Sequence, residues 1–412
     1  MLLLFGLSMV FLALGLWRVL GGAALGSPAL FLGLLGSASL AMILGGLYWG
    51  AVANPDDKLL QPLLAINMCL GAMLFGIFVF LFPGAGAEAA APGKAGLFLP
   101  ALLFPGFFFW AAAPPFLCAL AFPEEKGTGR GLFTLWSLAL FALALGLFLG
   151  SAWERRWPAT GRLMADVSLA LALALGLWLW LSRPERDPEE LPLRFFPVRS
   201  LGYWTGDKVY GLELLVYGKA KRTLGPSSFL AALGSGVAFL LALRDGPPWE
   251  PFFPFEGLTL ALLALALGAL AWGPLVAALC PPMTALALNQ LALSFLLCWP
   301  LAAPGPGALR LALSLAPLLC AGALFPLSLR VGVSRHDFLA YAFGKLSLPL
   351  FLGFALGLGL AFWLAPVQGW DRLRGAAGAL ALLSAFLAAG PTLSWLVSAL
   401  IALLVGLAYY FL

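Results

Sequence analysis

The chain contains a long series of apolar segments, each about twenty residues or more, separated by short polar turns. A helix of about twenty apolar residues crosses the hydrocarbon of a bilayer. We therefore predict an all-α fold, a polytopic α-helical membrane protein with about twelve or thirteen transmembrane helices in two halves. The predicted spans are 2–20, 28–52, 61–83, 97–122, 132–152, 163–182, 227–243, 258–280, 283–302, 309–329, 338–365, 375–390 and 391–412.

The composition excludes a water-soluble domain and several kinds of site. Hydrophobic residues make up 62% of the chain and charged residues 10%, against roughly 45–50% and 25% in soluble domains. The chain has one histidine, His336, and no Walker A, HExxH or GxSG motif. We expect a protein surrounded by the lipid bilayer, without a metal or cofactor and without nucleic acid as a partner, and we favour a non-enzyme over an enzyme.

One long polar stretch, 184–226, divides the chain into an N-terminal membrane half, 1–183, and a C-terminal membrane half, 227–412. In its second part, about 207–222, a helix would carry apolar residues along one broad side and charged residues at the remaining positions. That pattern predicts an amphipathic helix lying in the membrane interface.

The fourth predicted span contains Pro105 and the pair Pro114 and Pro115. Proline removes a backbone donor and breaks a helix. In lipid such a break requires cover from other protein segments. We therefore expect this span to be surrounded by neighbouring helices.

Basic residues set the expected orientation. The central polar stretch and the turn that holds Arg330 and Arg335 are rich in lysine and arginine, which favours the cytoplasmic side for both and for the N-terminus. The turn with Arg155 and Arg156 opposes this orientation.

The bias toward Leu, Ala, Gly and Pro is compatible with a GC-rich bacterial genome, so we expect a bacterial cytoplasmic (inner) membrane.

Few polar side chains fall inside the predicted spans, and each is a candidate substrate-binding residue because burying it in lipid is costly. The candidates are Asn289, Gln290, Lys345 and Asp166. Each has a structural alternative. The two amides can form hydrogen bonds between helices, Lys345 can extend toward the interface, and Asp166 can lie at the interface near Arg162.

Two stretches of the second half resemble the integral permease subunits of ATP-binding-cassette exporters. LELLVYGKAKRTLGPSSFLAALGSG resembles their elbow helix, and LSLRVGVSRHDFLAYAFGKLSLPLFLGFALGLG resembles their basic turn before a span. The first half shows no clear copy of either stretch. The resemblance implies a separate ATP-binding subunit docking at cytoplasmic loops. The expected docking residues are Lys219, Lys221, Arg222, Arg335 and His336.

Three interpretations of function remain open from the sequence. The first is a permease or exporter component that moves a hydrophobic or lipid-like substrate. The second is a membrane-embedded scaffold subunit of a larger complex, as a homodimer or with other membrane subunits. The third is an enzyme of the glycan polymerase or ligase type acting on a lipid-linked substrate. That third interpretation depends on the central polar stretch, through Arg194, Arg199, Tyr203 and Trp204.

Overall fold

The computed structural model describes residues 2–26, 28–53, 60–81, 95–121, 130–181, 224–245, 255–279, 282–298, 307–332 and 339–389. Within these ranges the chain is almost entirely helical. Leucine and alanine are strong helix formers, and a helix satisfies its backbone hydrogen bonds internally, which lipid requires. The predicted amphipathic helix at 207–222 and the predicted last span at 391–412 lie outside the described residues.

The first half contains seven α-helices. They are α1 (Leu2–Gly26), α2 (Pro28–Val52), α3 (Leu60–Leu81), α4 (Ala95–Trp110), α5 (Ala113–Ala121), α6 (Arg130–Arg156) and α7 (Gly161–Leu181). Helices α4 and α5 together form one broken span, and a 3₁₀ turn at Pro158–Thr160 precedes α7.

The second half contains α8 (Leu224–Asp245), α10 (Pro282–Cys298), α11 (Gly307–Gly332), α12 (Leu339–Gln368) and α13 (Trp370–Ala389). Between α8 and α10 lies α9, which begins as an α-helix at Phe255–Leu267, passes through a π-helical turn at Gly268–Trp272 and ends as an α-helix at Gly273–Leu279.

The predicted polytopic helical fold is confirmed. Ten helical segments of the described chain are long and apolar enough to cross a membrane, and two shorter apolar helices cover Leu2–Trp17 and Thr284–Cys298. Most helices begin and end within a few residues of the predicted spans. The span 28–52 agrees at both ends.

The fourth span is broken as its prolines predict. Helix α4 ends at Trp110, and α5 begins at Ala113, so that Pro114 and Pro115 fall in the first turn of α5, where a missing N–H does no harm. Ala111 and Ala112 at the break are completely buried. The interruption is therefore covered by protein, as lipid requires.

The helices of each half pack in the same pattern. In the first half α1 packs against α6 and α7, α2 against α4, and α3 against α4 and α7. In the second half α8 packs against α12 and α13, α9 against α11, and α10 against α11 and α13. Apart from a further contact of α8 with α11, each of these packing pairs of the second half is a pair of the first half with both spans replaced by the spans six places later. The two halves are therefore structural repeats.

Aligning the two halves by their packing reveals short sequence repeats, which the sequence analysis did not identify. Helices α2 and α9 share G-x-L-x-W-G at 45–50 and 268–273, and α3 and α10 share L-A-x-N at 64–67 and 286–289. Helices α6 and α12 share A-L-G-L-x-L at 144–149 and 355–360. Pro105 and Pro114 of the broken span have the same spacing as Pro317 and Pro326 of α11. These matches fix which residue of one half corresponds to which residue of the other.

Successive spans run in opposite directions, so the bundle has two faces. We call one the central-loop face. It holds the helix ends at Ala53, Leu60, Ala121, Arg130, Leu181, Leu224, Leu279, Pro282, Gly332 and Leu339. The other, the opposite face, holds the ends at Gly26, Pro28, Leu81, Ala95, Arg156, Gly161, Asp245, Phe255, Cys298, Gly307, Gln368 and Trp370.

Candidate functional interface

The two halves meet along two equivalent seams, one between α2 and α12 and the other between α6 and α9. In the first seam the Ser347 hydroxyl donates to the Gly344 carbonyl oxygen of its own helix at 2.7 Å and lies 3.5 Å from the Ile43 carbonyl oxygen across the seam. In the second the Ser137 hydroxyl donates to the Ala266 carbonyl oxygen at 2.8 Å. By the repeat, Ile43 corresponds to Ala266, and Ser137 is one position from Trp136, the counterpart of Ser347. In each seam a serine of one half therefore faces a carbonyl oxygen of the other.

Glycines bring the helices of the α2–α12 seam together. A Cβ atom at Gly344 would lie 3.0 Å from the Gly46 carbonyl oxygen, and one at Gly46 would lie 2.9 Å from the Ser347 Cβ atom. Close backbone approach through small residues is a principal means of helix association in lipid, where burial of apolar surface gives no driving force. This seam therefore depends on residues with little or no side chain.

An aromatic cluster joins the halves near the central-loop face. Trp136 of α6 stacks on Phe325 of α11 with ring centroids 4.3 Å apart, and Phe325 also contacts Phe343 and Phe351 of α12. Trp136 contacts Phe351 as well. Offset aromatic pairs add roughly 0.5–1.5 kcal/mol each beyond the area that they bury.

The interface is closed at the central-loop face. Every residue from 322 to 329 of α11 is buried, and so are residues 111–119 of the equivalent broken span except Pro114. Nearer the opposite face, Ala101, Leu102 and Pro105 of α4 are exposed, and most described residues of α11 before Pro317 are at least partly exposed. The burial pattern thus differs between the two ends of these spans.

Asn289 connects three helices inside the second half. The Trp272 indole N–H donates to Asn289 Oδ1 at 2.8 Å, and Asn289 Nδ2 donates to the Cys320 carbonyl oxygen at 3.0 Å. Trp272 is the last residue of the π-helical turn, a kind of turn that often occurs at functional sites. The asparagine therefore links α10 to both α9 and α11.

The other predicted substrate-binding residues lie in three separate environments. Gln290 is completely buried, but α10 packs mainly within the second half, away from both seams. Lys345 is exposed at the central-loop end of α12, and Asp166 is exposed near the opposite face, one turn from the exposed Arg162. The structure therefore brings together only the neighbours Asn289 and Gln290. Substrate binding by any of the four stays a prediction.

The predicted docking residues Lys219, Lys221, Arg222, Arg335 and His336 lie outside the described residues, as do the four residues on which the enzyme interpretation depends. The seam residues were missed by sequence reasoning. Ser137, Ser347 and Trp136 are ordinary residues in apolar helices, and only the repeated motifs, once aligned, identify the seam helices as equivalent.

No family model matches the chain, and no curated protein sequence matches it. Solved structures do match over nearly its whole length. The human organic anion transporter MFSD10 (TETRAN) superposes with a TM-score of 0.59 at 18% identity, covering 94% of this chain and 98% of that one. The nucleoside transporter NupG gives a TM-score of 0.55 at 15% identity, with the same coverage. The major facilitator superfamily proton:xylose symporter XylE gives 0.56 at 14%, covering 93% and 94%. The likeness shows that this chain has the fold of these proteins.

The resemblance to ATP-binding-cassette permeases is therefore wrong. The matching solved structures given above are major facilitator superfamily transporters and not ATP-binding-cassette permeases. The structure gives the physical reason. The second half does not stand as a separate permease unit, because 327–359 contains Gly344 and Ser347, which form the seam with α2. The expected ATP-binding subunit, which depended on this resemblance, loses its support.

We expect Asn289→Leu and Asn67→Leu, which change equivalent residues of the two halves, to have different effects. Leucine at 289 leaves the Trp272 N–H and the Cys320 carbonyl without their partner, which costs about 1–3 kcal/mol of unfolding free energy. Asn67 donates only to Leu63 of its own helix, and its Oδ1 has no partner among the described residues, so its loss costs less than about 1 kcal/mol. Unfolding in mixed detergent micelles measures both. Equal losses would contradict the contrast.

Proposed function

We propose that this chain is a membrane transporter that moves a small uncharged or apolar solute between its two halves. The observation that carries the proposal is the repeated architecture, in which two equivalent halves meet along two matching seams. Solved transporters with this fold, named for organic anions, nucleosides and xylose, support the assignment. Relative movement of such halves would open the interface to one side of the membrane and then to the other.

The buried polar groups support a solute without a formal charge. Among the described residues these groups are serine and threonine hydroxyls and the amides of Asn67, Asn289 and Gln290, and none belongs to Asp, Glu, Lys, Arg or His. A charged solute inside the bilayer needs a charged or densely polar partner to replace its hydration shell. Aromatic rings and hydroxyls instead suit a neutral or hydrophobic molecule. This retains the lipid-like substrate of the sequence prediction within a broader class.

The orientation of the chain decides which side of the membrane the closed end faces. If the N-terminus is cytoplasmic, as the basic residues predict, the central-loop face is cytoplasmic and the structure is closed on that side. We propose that this membrane is the bacterial cytoplasmic membrane, because the bias toward Leu, Ala, Gly and Pro is compatible with a GC-rich bacterial genome. Labelling of a cysteine introduced at an exposed site such as Thr160, near the opposite face, tests the orientation.

The first experiment is reconstitution of the purified chain into liposomes and measurement of uptake across a panel of labelled solutes. The panel contains neutral sugars, nucleosides, neutral lipophilic amides and, as charged comparisons, organic anions and cations. Protein-dependent, saturable uptake of a neutral solute supports the proposal. Uptake confined to charged solutes contradicts the solute class, and failure of every solute to exceed empty liposomes contradicts the transporter assignment.

We expect transport of the neutral solute to continue when the proton gradient is abolished. Coupling to protons requires a group that binds and releases a proton along the route, and no carboxylate or histidine is buried among the described residues. A protonophore should therefore leave the initial uptake rate within about twofold of its starting value. The margin allows for indirect effects of surface charge on the uptake rate. Loss of uptake on adding the protonophore would contradict this expectation.

A further inference from the structure

Gln290 has an unusual environment for an amide inside a membrane protein. Its side chain is completely buried, and neither Nε2 nor Oε1 has a hydrogen-bond partner among the described residues. A buried amide without partners is strongly unfavourable, and lipid offers no alternative partner. Native structures usually satisfy such groups, often with ordered water.

The repeat shows what occupies the equivalent place in the first half. The counterpart of Gln290 is Met68, because each directly follows the asparagine of the shared L-A-x-N motif. Met68 lines a small apolar void of about 10 Å³ between α1, α3, α5 and α7, together with Leu4, Phe5, Leu117, Leu175 and two further leucines. A void of this size without polar partners stays dry.

The second half replaces several of these apolar residues with polar ones. The glycine contact between Gly146 and Val10 corresponds to that between Gly357 and Leu233, which aligns Leu4 and Phe5 with Ser227 and Ser228. Leu175 and Ser384 lie at the same distance from the starts of α7 and α13. The paired prolines align Phe116, the sequence neighbour of the lining residue Leu117, with Ser328. All four serines are completely buried.

Three of the four hydroxyls of this serine cluster donate their protons to acceptors within the protein. Ser227 Oγ donates to the Ser384 carbonyl at 2.9 Å, and Ser384 Oγ donates to the Ser227 carbonyl at 2.8 Å. Ser228 Oγ donates to Ser328 Oγ at 3.2 Å. The hydroxyl oxygens therefore retain lone pairs that can accept a further hydrogen bond. Water supplies two donors, and it can also accept from the Gln290 amide.

We propose that the second half contains a buried hydration site, in which ordered water is hydrogen-bonded to Gln290 and to the serine cluster of α8, α11 and α13. The first half keeps the equivalent space apolar and dry. The site lies within one half and not at the seams, so it is separate from the proposed transport interface.

Radiolytic footprinting of the full chain in H₂¹⁸O tests the proposal. Hydroxyl radicals formed from bound water oxidise the side chains beside it, even where bulk water does not reach. Leu64 and Leu117 line the dry void, and the repeat places their counterparts Leu286 and Leu329 beside the proposed site. All four are almost completely buried. We expect several-fold more ¹⁸O label on the first pair. Equal protection of the two pairs would overturn the proposal.

The variant Gln290→Met provides the second measurement, because it copies the residue that the first half tolerates at this position. We expect label on Leu286 and Leu329 to fall to the level of Leu64 and Leu117, and the melting temperature to fall with the lost hydrogen bonds. A rise in melting temperature with unchanged label would show that Gln290 was unsatisfied and dry. If the variant does not fold, the comparison of the two leucine pairs in the natural chain still decides the question.

Discussion

A disulfide between Gly46→Cys and Ser347→Cys is expected to stop transport, and reduction is expected to restore it. The two positions face each other across the α2–α12 seam, near the closed central-loop face. If transport requires the halves to separate at this face, a covalent bond across the seam holds the molecule in one state. Uptake into liposomes, measured before and after a thiol reductant, should differ by at least about tenfold, the change expected when a required conformation is lost.

The geometry favours this bond. A Cβ atom at Gly46 would lie 2.9 Å from the Ser347 Cβ atom, somewhat closer than the mean of about 3.8 Å in disulfides. A small separation of the two helices therefore brings the cysteines into bonding range. The substitution of Ser347 removes its 2.7 Å hydrogen bond to the Gly344 carbonyl of the same helix, which already accepts within the helix, and only a weak 3.5 Å contact with Ile43 across the seam.

The chain offers a matched control. A Cβ atom at Gly176 of α7 would lie 2.6 Å from the sulfur of the native Cys69 in α3, so Gly176→Cys creates a disulfide within the first half. Such a bond should leave transport intact, because it joins helices that move together. Complete cross-linking at positions 46 and 347 with undiminished uptake would contradict movement at this seam.

The sequence predicts where the spans lie but not how the helices are arranged. Helix α2 begins and ends where its apolar run does, because the thickness of the bilayer sets the length of a span. The broken fourth span follows from Pro114 and Pro115, since proline interrupts a helix in any surroundings. These predictions succeed because they depend on local chemistry alone.

The arrangement of the helices depends on contacts between distant residues. Ser137 and Ala266 meet across the second seam, and neither residue carries a local pattern that indicates a partner. The resemblance to ATP-binding-cassette permeases failed for the same reason, because a basic turn followed by Gly344 and Lys345 says how a span begins and not which helix lies beside it. The sequence predicts the candidate site only as four polar residues within apolar spans. The structure places the adjacent amides Asn289 and Gln290 in the interior and leaves Lys345 and Asp166 exposed.

The repeated halves make the differences between them informative. Trp49 and Trp272 occupy the same place in the shared G-x-L-x-W-G motif, but their indole N–H groups bond differently. Trp49 donates to the Phe108 carbonyl at 3.2 Å, whereas Trp272 ends a π-helical turn and donates to Asn289. The π-helical turn of α9 therefore accompanies a polar contact that the first half lacks.

Gly357→Ala is expected to destabilise the protein strongly, whereas Gly359→Ala on the same helix should be neutral or slightly stabilising. A Cβ atom at Gly357 would overlap the Leu233 carbonyl oxygen of α8, and Gly353 one turn earlier meets the same helix at the Phe229 carbonyl. Together they form a G-x-x-x-G face, which allows two helix backbones to touch in lipid. Separating them costs at least about 1–3 kcal/mol, the range for overpacked cores.

The two glycines separate packing from helix propensity. Gly359 is exposed, and a Cβ atom there has no neighbour within 4 Å among the described residues, so alanine contributes only its better propensity of up to about 1 kcal/mol. Thermal unfolding of the two variants in detergent should therefore give shifts of opposite sign, or one large loss beside no change. Because Gly146 makes the equivalent contact with Val10 in the first half, Gly146→Ala should repeat the loss. Equal melting temperatures for the Gly357 and Gly359 variants would show that the α8–α12 contact tolerates a wider spacing than its glycines indicate.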